Sequence, residues 1–162
     1  MKTKKILTLI LAMMMLFAQI VPVCAEETNP DEWYELVEED FEVFGENELE
    51  KSITPYSLYL MNVYASIVKL NSSKVGMRAD VPCSAVMKQI TVTFYLQKLK
   101  GTSWSTVGST TVYAYNTSST TKSITASNLS SGTYRNKVSV KVTASNGYSE
   151  TLTSYSGSIN LP

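Results

Sequence analysis

Few side chains in this chain could do chemistry. The 162 residues contain no histidine, which removes histidine-based triads and dyads and the commonest metal ligand. The two cysteines are Cys24 and Cys83. A single thiol without an imidazole beside it is neither a zinc site nor an activated nucleophile, so Cys83 is expected to act as a small apolar residue near a strand end. Beyond residue 52 the acidic side chains are Asp80 and Glu150. Glycosidic cleavage needs two carboxyl groups at a set separation, and calcium needs several oxygen ligands; this pair reads as surface salt partners. No glycine-rich phosphate loop is present. The expectation is a non-enzymatic protein without catalytic residues, metal or cofactor, one that acts by binding.

The amino terminus sets where such a protein works. Lys2, Lys4 and Lys5 precede an apolar run from Ile6 to Ala18, and Val23 and Ala25 are small residues before two glutamates. A positive start, an apolar run too short to span a bilayer comfortably and small residues before a break form a signal peptide over residues 1–25. Pro22 interrupts any longer helix. Lipidation of Cys24 is the competing reading, and Val23 in front of it is a poor match. The mature protein is therefore expected to be secreted, free or held at the surface by what it binds.

The zero net charge conceals two opposed halves. Residues 26–52 hold twelve acids and one base, a net −11. Residues 53–162 hold ten bases and two acids, a net +8. Such asymmetry points to partners or to mutual attraction. The acidic segment also carries Trp33, Val37, Phe41 and Phe44 at near-helical spacing, which predicts an apolar stripe on a partly helical segment. It reads either as a solvated, disordered linker or as a segment that docks through those aromatics on the basic domain or on another partner.

From Leu58 onward the periodicity is two. Ile90, Val92, Phe94 and Leu96 alternate with Thr91, Thr93, Tyr95 and Gln97; Val138, Val140, Val142 and Ala144 alternate with Lys137, Ser139, Lys141 and Thr143. This is the pattern of strands with one face on a core. Turn residues at Asn71–Ser73, Val81-Pro82, Lys100–Ser103, Asn116–Ser119, Ser130–Gly132 and Asn146-Gly147 divide the domain into about seven strands, near 58–70, 74–81, 88–100, 103–116, 120–127, 133–145 and 148–159. Asn-Gly suits a tight hairpin because it accepts positive φ. The expected fold is an all-β, antiparallel, immunoglobulin-like sandwich over 53–162.

The stretch L-S-S-G-T-Y-R-N-K-V-S-V-K-V-T-A at 129–144 resembles the corner leading into the sixth strand of fibronectin type III and immunoglobulin-like domains. The resemblance implies a structural tyrosine corner of Leu129, Gly132 and Tyr134, with the tyrosine hydroxyl bonded back to the backbone. Similarly, L-Q-K-L-K-G-T-S-W at 96–104 looks like a third-strand turn followed by a packing tryptophan, Trp104. With Y-A-S-I-V-K-L and the closing E-T-L-T-S-Y-S, residues 57–162 resemble small secreted proteins of Gram-positive, clostridia-like bacteria with an uncharacterised sandwich domain of this kind. That resemblance implies a fold and a setting, and no activity.

It also implies that strands 88–100 and 133–145 pair. Arg135, Lys137, Ser139 and Lys141 would then share an outward sheet face with Tyr95 and Gln97. Cations beside aromatics suit a polyanion such as a wall teichoic acid or a sulfated glycan, or sugars stacking on Tyr95 and Tyr113. The competing view is that these charges keep an exposed strand soluble. A second function class is a structural, self-associating protein-interaction module in which the acidic segment docks on the basic domain. Nucleic acid is not an expected partner, since no recognition motif is present.

Overall fold

The computed structural model describes residues 32–41, 50–52 and 57–162. The expected signal peptide, Phe44 and the expected boundary at 53–55 lie outside the described residues. Among the described residues seven strands form, all paired antiparallel: β1 (Leu36–Glu38), β2 (Glu50–Ser52), β3 (Val63–Lys69), β4 (Val75–Lys100), β5 (Ser103–Ala126), β6 (Gly132–Thr143) and β7 (Ser149–Leu161).

The centre of the fold is one long hairpin. β4 has 26 residues and β5 has 24, joined by Gly101-Thr102 with Gly101 at φ 62°. A glycine at the first position of a two-residue turn gives the twist that a hairpin needs. Each arm kinks midway. On β4 the register jumps between Pro82 and Met87 while β5 advances from Thr117 to Ser119, so four residues oppose Ser118 alone. Asn116, at φ 52°, sits on the facing arm.

At that kink both arms pass from one layer of the sandwich to the other. The lower layer runs β2–β3–β4(75–82)–β5(119–126)–β1, and the upper layer runs β5(103–117)–β4(87–100)–β6–β7. The fold is thus an all-β immunoglobulin-like sandwich. Val81-Pro82 and Asn116–Ser119 were expected to end strands. They mark bends within continuous ones, because a bulge and one left-handed residue turn the chain without breaking its ladder. β3 begins at Val63; between 57 and 62 the only pairing is a bridge from Leu60 to Cys83.

Alternation places the core as its period requires. Val75, Met77, Ala79, Ile90, Val92, Phe94, Leu96, Val138, Val140 and Val142 are wholly buried; each large side chain among them contributes on the order of 1.5–3 kcal/mol. The tyrosine corner is present. Tyr134 is buried and its hydroxyl donates to the Ser130 carbonyl at 2.9 Å, and Leu129 is buried beside it. Gly132 has φ 148°, a backbone conformation that L side chains rarely adopt, so the backbone requires glycine there.

The acidic segment corrects the helical expectation. Residues 32–41 contain no helix, and Leu36, Val37 and Glu38 form a strand opposite Ala126, Thr125 and Ile124 of β5. An unpaired β5 edge offers ladder hydrogen bonds, whereas a short acid-rich helix has little to stabilise it in isolation. Period two then replaces period 3.6. Leu36 is buried in the core, and Trp33 and Val37 are 50% and 51% exposed. The Phe41 ring lies against Gly76, 2.6 Å from where a Cβ would stand. The contact is made by Leu36, Tyr34 and Phe41; Trp33 and Val37 instead flank a shallow groove of about 350 Å³ with Thr125 and Asn128.

Candidate functional site

The outer face of the upper layer collects most of the residues singled out for binding. Register sets them in rows: Tyr95 opposite Lys137, Gln97 opposite Arg135, and Thr91 opposite both Lys141 and Tyr113. Opposed residues of this kind have Cβ atoms roughly 5 Å apart. The Lys137 amine lies 5.2 Å from the Tyr95 ring centre. The Arg135 guanidinium is held between two rings, 4.3 Å from Trp104 and 4.5 Å from Tyr155, and its Nε donates to Gln97 Oε1 at 2.8 Å. Gln97 is fully buried despite its outward register. It acts beneath Arg135 as an acceptor and is not available at the surface.

The remaining aromatics complete this face. Trp104, expected as a packing tryptophan, packs on the outer face as the platform for Arg135. Beyond the ladder, Tyr113 stacks on Tyr115 with ring centres 6.3 Å apart and planes at 16°, and both are about half exposed or more. Tyr113 was expected; Tyr115 and Tyr155 were not. The signal for Tyr115 was its two-residue spacing from Tyr113, which on a strand means one face. Lys141 is exposed on the same face.

A cation against a ring keeps its charge and gains orientation. The face is therefore a field of positive charge interleaved with flat apolar surfaces, with Thr91, Thr93, Thr111 and Ser139 as hydroxyl groups between them. Flat rings stack on sugar faces, hydroxyls exchange hydrogen bonds with sugar hydroxyls, and the cations attract carboxylate, sulfate or phosphate.

A second cluster ties the acidic segment down. Glu32 receives Lys98 Nζ at 2.6 Å, Lys100 Nζ at 3.1 Å, Ser130 Oγ at 2.7 Å and the Tyr34 hydroxyl at 2.9 Å. Burial alone would raise the carboxyl, but those donors outweigh it and bring it down to about 2. Burial disfavours the Lys98 ammonium, but Glu32 and Tyr134 together outweigh it, leaving its pKa raised. Farther along, Glu39 pairs with Lys74 at 2.8 Å and Glu38 with Lys122 at 2.7 Å. None of these four lysines is a cation of the upper face.

The remaining polar candidates are structural. Glu150 accepts backbone N–H groups from Leu58, Tyr59 and Leu60 and the Ser57 hydroxyl, at 2.7 to 3.1 Å. Asp80 accepts from Arg78 and Thr121. Asp80 is a salt partner as expected, whereas Glu150 holds an amide cradle. Burial and the Glu150 charge push the Cys83 thiol up to about 11. Among the described residues no three of Cys, Asp and Glu converge as metal ligands, and no helix is long and apolar enough to cross a membrane.

No family model matches the chain, and no curated protein does. Among solved structures, the crystal structure of the GAE domain of GGA2p from Saccharomyces cerevisiae is similar over 70% of this chain and 98% of that one, at 13% identity and a TM-score of 0.36.

Proposed function

We propose that this chain is a secreted, non-enzymatic binding module whose upper-layer face takes a polyanionic or glycan surface. The observation that carries the reading is the exposed Tyr113–Tyr115 stack on the same sheet face as Lys137 and Lys141. Stacked rings supply sequence-tolerant contact to sugar faces, and the lysines supply the charge that selects acidic glycans. The test is binding to heparin and to purified Gram-positive wall polysaccharide across a salt series. Paired Lys137→Ser and Lys141→Ser substitutions should weaken binding and flatten its salt dependence. Tyr113→Ser with Tyr115→Ser should weaken it at every salt concentration. Unchanged affinity in both variants would overturn the reading.

The ion pairs of Glu32, Glu38 and Glu39 favour a second reading, a protein-interaction module in which the acidic segment docks on the basic domain. On that reading association between copies depends on the acidic segment and is lost at high salt. Light scattering with and without residues 26–52 separates the two.

A further inference from the structure

The four edges of the two layers are not equally guarded. β1 covers the β5 edge of the lower layer at 124–126, and β2 covers β3. In the upper layer β7 has no strand paired on its outer side among the described residues, but a bulge at Ser156-Gly157 interrupts its line. The other upper-layer edge is the 103–117 arm of β5. It pairs with β4 on one side, and on its free side Tyr34 N–H reaches it once, at the Val107 carbonyl, 2.7 Å away. Beyond that contact, among the described residues, no strand lies along 109–115.

That segment reads S-T-T-V-Y-A-Y. It has no charge, proline or glycine, and Thr, Val and Tyr are strong strand formers. Natural proteins blunt open edges with lysine, proline, a bulge or a covering segment, and this chain uses a covering segment on the other arm of the same strand. An uncharged edge of seven residues, uncovered among the described residues, is a pairing surface.

We propose that 109–115 pairs antiparallel with the same segment of a second copy, joining two upper layers into one continuous sheet. The segment is self-complementary about Val112. A two-fold axis there sets Thr111 opposite Tyr113, Thr110 opposite Ala114 and Ser109 opposite Tyr115. No like charges meet, and each exposed tyrosine faces a small or β-branched residue on the same side of the sheet, a favourable cross-strand pairing. Tyr113 and Tyr115 are 49% and 61% exposed, so both have surface to bury. An edge ladder with modest side-chain burial belongs to the weak end of interface sizes, and the pairing is reversible and concentration-dependent. Because the edge is neutral, it is insensitive to salt. That separates it from association through the acidic segment, and the pairing needs no glycan although it shares Tyr113 and Tyr115 with the proposed glycan face.

The test is sedimentation equilibrium of the full chain from about 10 µM to about 1 mM, a range suited to weak interfaces, at low and high salt, with amide hydrogen exchange at both concentration limits. The mass should rise toward twice the monomer regardless of salt, with added protection confined to 109–115. The double variant Ser109→Lys, Thr111→Lys, which installs the usual edge guards, should stay monomeric with an unchanged melting temperature. A monomeric wild type at the highest concentration overturns the proposal. So does a wild-type dimer whose 109–115 amides gain no protection, which also decides the matter should the variant fail to fold. Capture of a foreign extended peptide at this edge by a strictly monomeric protein would likewise overturn it.

Discussion

Replacing Glu32 with glutamine should loosen the acidic segment while leaving the sandwich folded. Glu32 is the acceptor for two lysines, a serine and a tyrosine, and its loss leaves Lys98, whose side chain is 14% exposed, without a counter-charge. Hydrogen bonds to a charged group contribute about 1.5–3 kcal/mol. Glu32 keeps 21% of its side-chain surface in water, and screening there holds the loss to about 1.5–2 kcal/mol. At about 1.4 kcal/mol per factor of ten, the opening equilibrium should rise roughly ten- to thirtyfold. The assay is hydrogen exchange at Tyr34 and Glu39, whose N–H groups bond Val107 and Ser123. The carboxyl sits at about 2 against an ordinary 4.5, a lowered pKa. Its contribution is therefore complete above pH 4.5 and fades as pH falls toward 2. Wild type and variant should differ at pH 6 and converge near pH 2. Equal exchange at pH 6 would refute the claim that this carboxylate anchors the segment.

Three further outcomes follow from the geometry. Glu150→Gln should cost about 1–2 kcal/mol in denaturant unfolding, since the cradle of three amides and one hydroxyl loses its anion. Burial raises this carboxyl, but the donors win and its pKa is lowered, so the wild type alone should lose that increment as pH drops below 4.5. Gly108→Ala places a Cβ 2.7 Å from the Tyr34 carbonyl; exchange at Tyr34 should quicken with β5 pairing retained. Cys83, with a thiol near 11, should resist alkylation at pH 8 in the folded protein and react freely after denaturation.

The strands and their faces were legible because burial on one side imprints a period of two, and the tyrosine corner because Gly132 and Tyr134 answer to local backbone needs. The continuity of β4 and β5 was not. Pro82 and Asn116 look like terminators, and only the pairing of the opposite arm reveals that a bulge absorbs them. The acidic segment misled for a related reason. Trp33, Val37 and Phe41 fit a helix in isolation, and the decisive term, an open β5 edge in need of a partner, is tertiary. The outer face was readable for Arg135, Lys137 and Lys141 from alternation alone. Trp104 and Tyr155 as the two walls around Arg135 required the register of three strands, which no local pattern encodes.

The long central hairpin bears on how this chain finds its fold. Sandwiches fold slowly because their pairings join residues distant in sequence. Here the Gly101-Thr102 turn closes a very short loop, and zipping outward from it lays down the middle of the upper layer, rounds the kink at Ser118 and continues into the lower layer. One nucleus thereby templates both layers at little loop-closure cost. β3, β6 and β7 can then add to an existing scaffold, and the acidic segment, held by a three-residue ladder, Leu36 and its ion pairs, attaches last and detaches first.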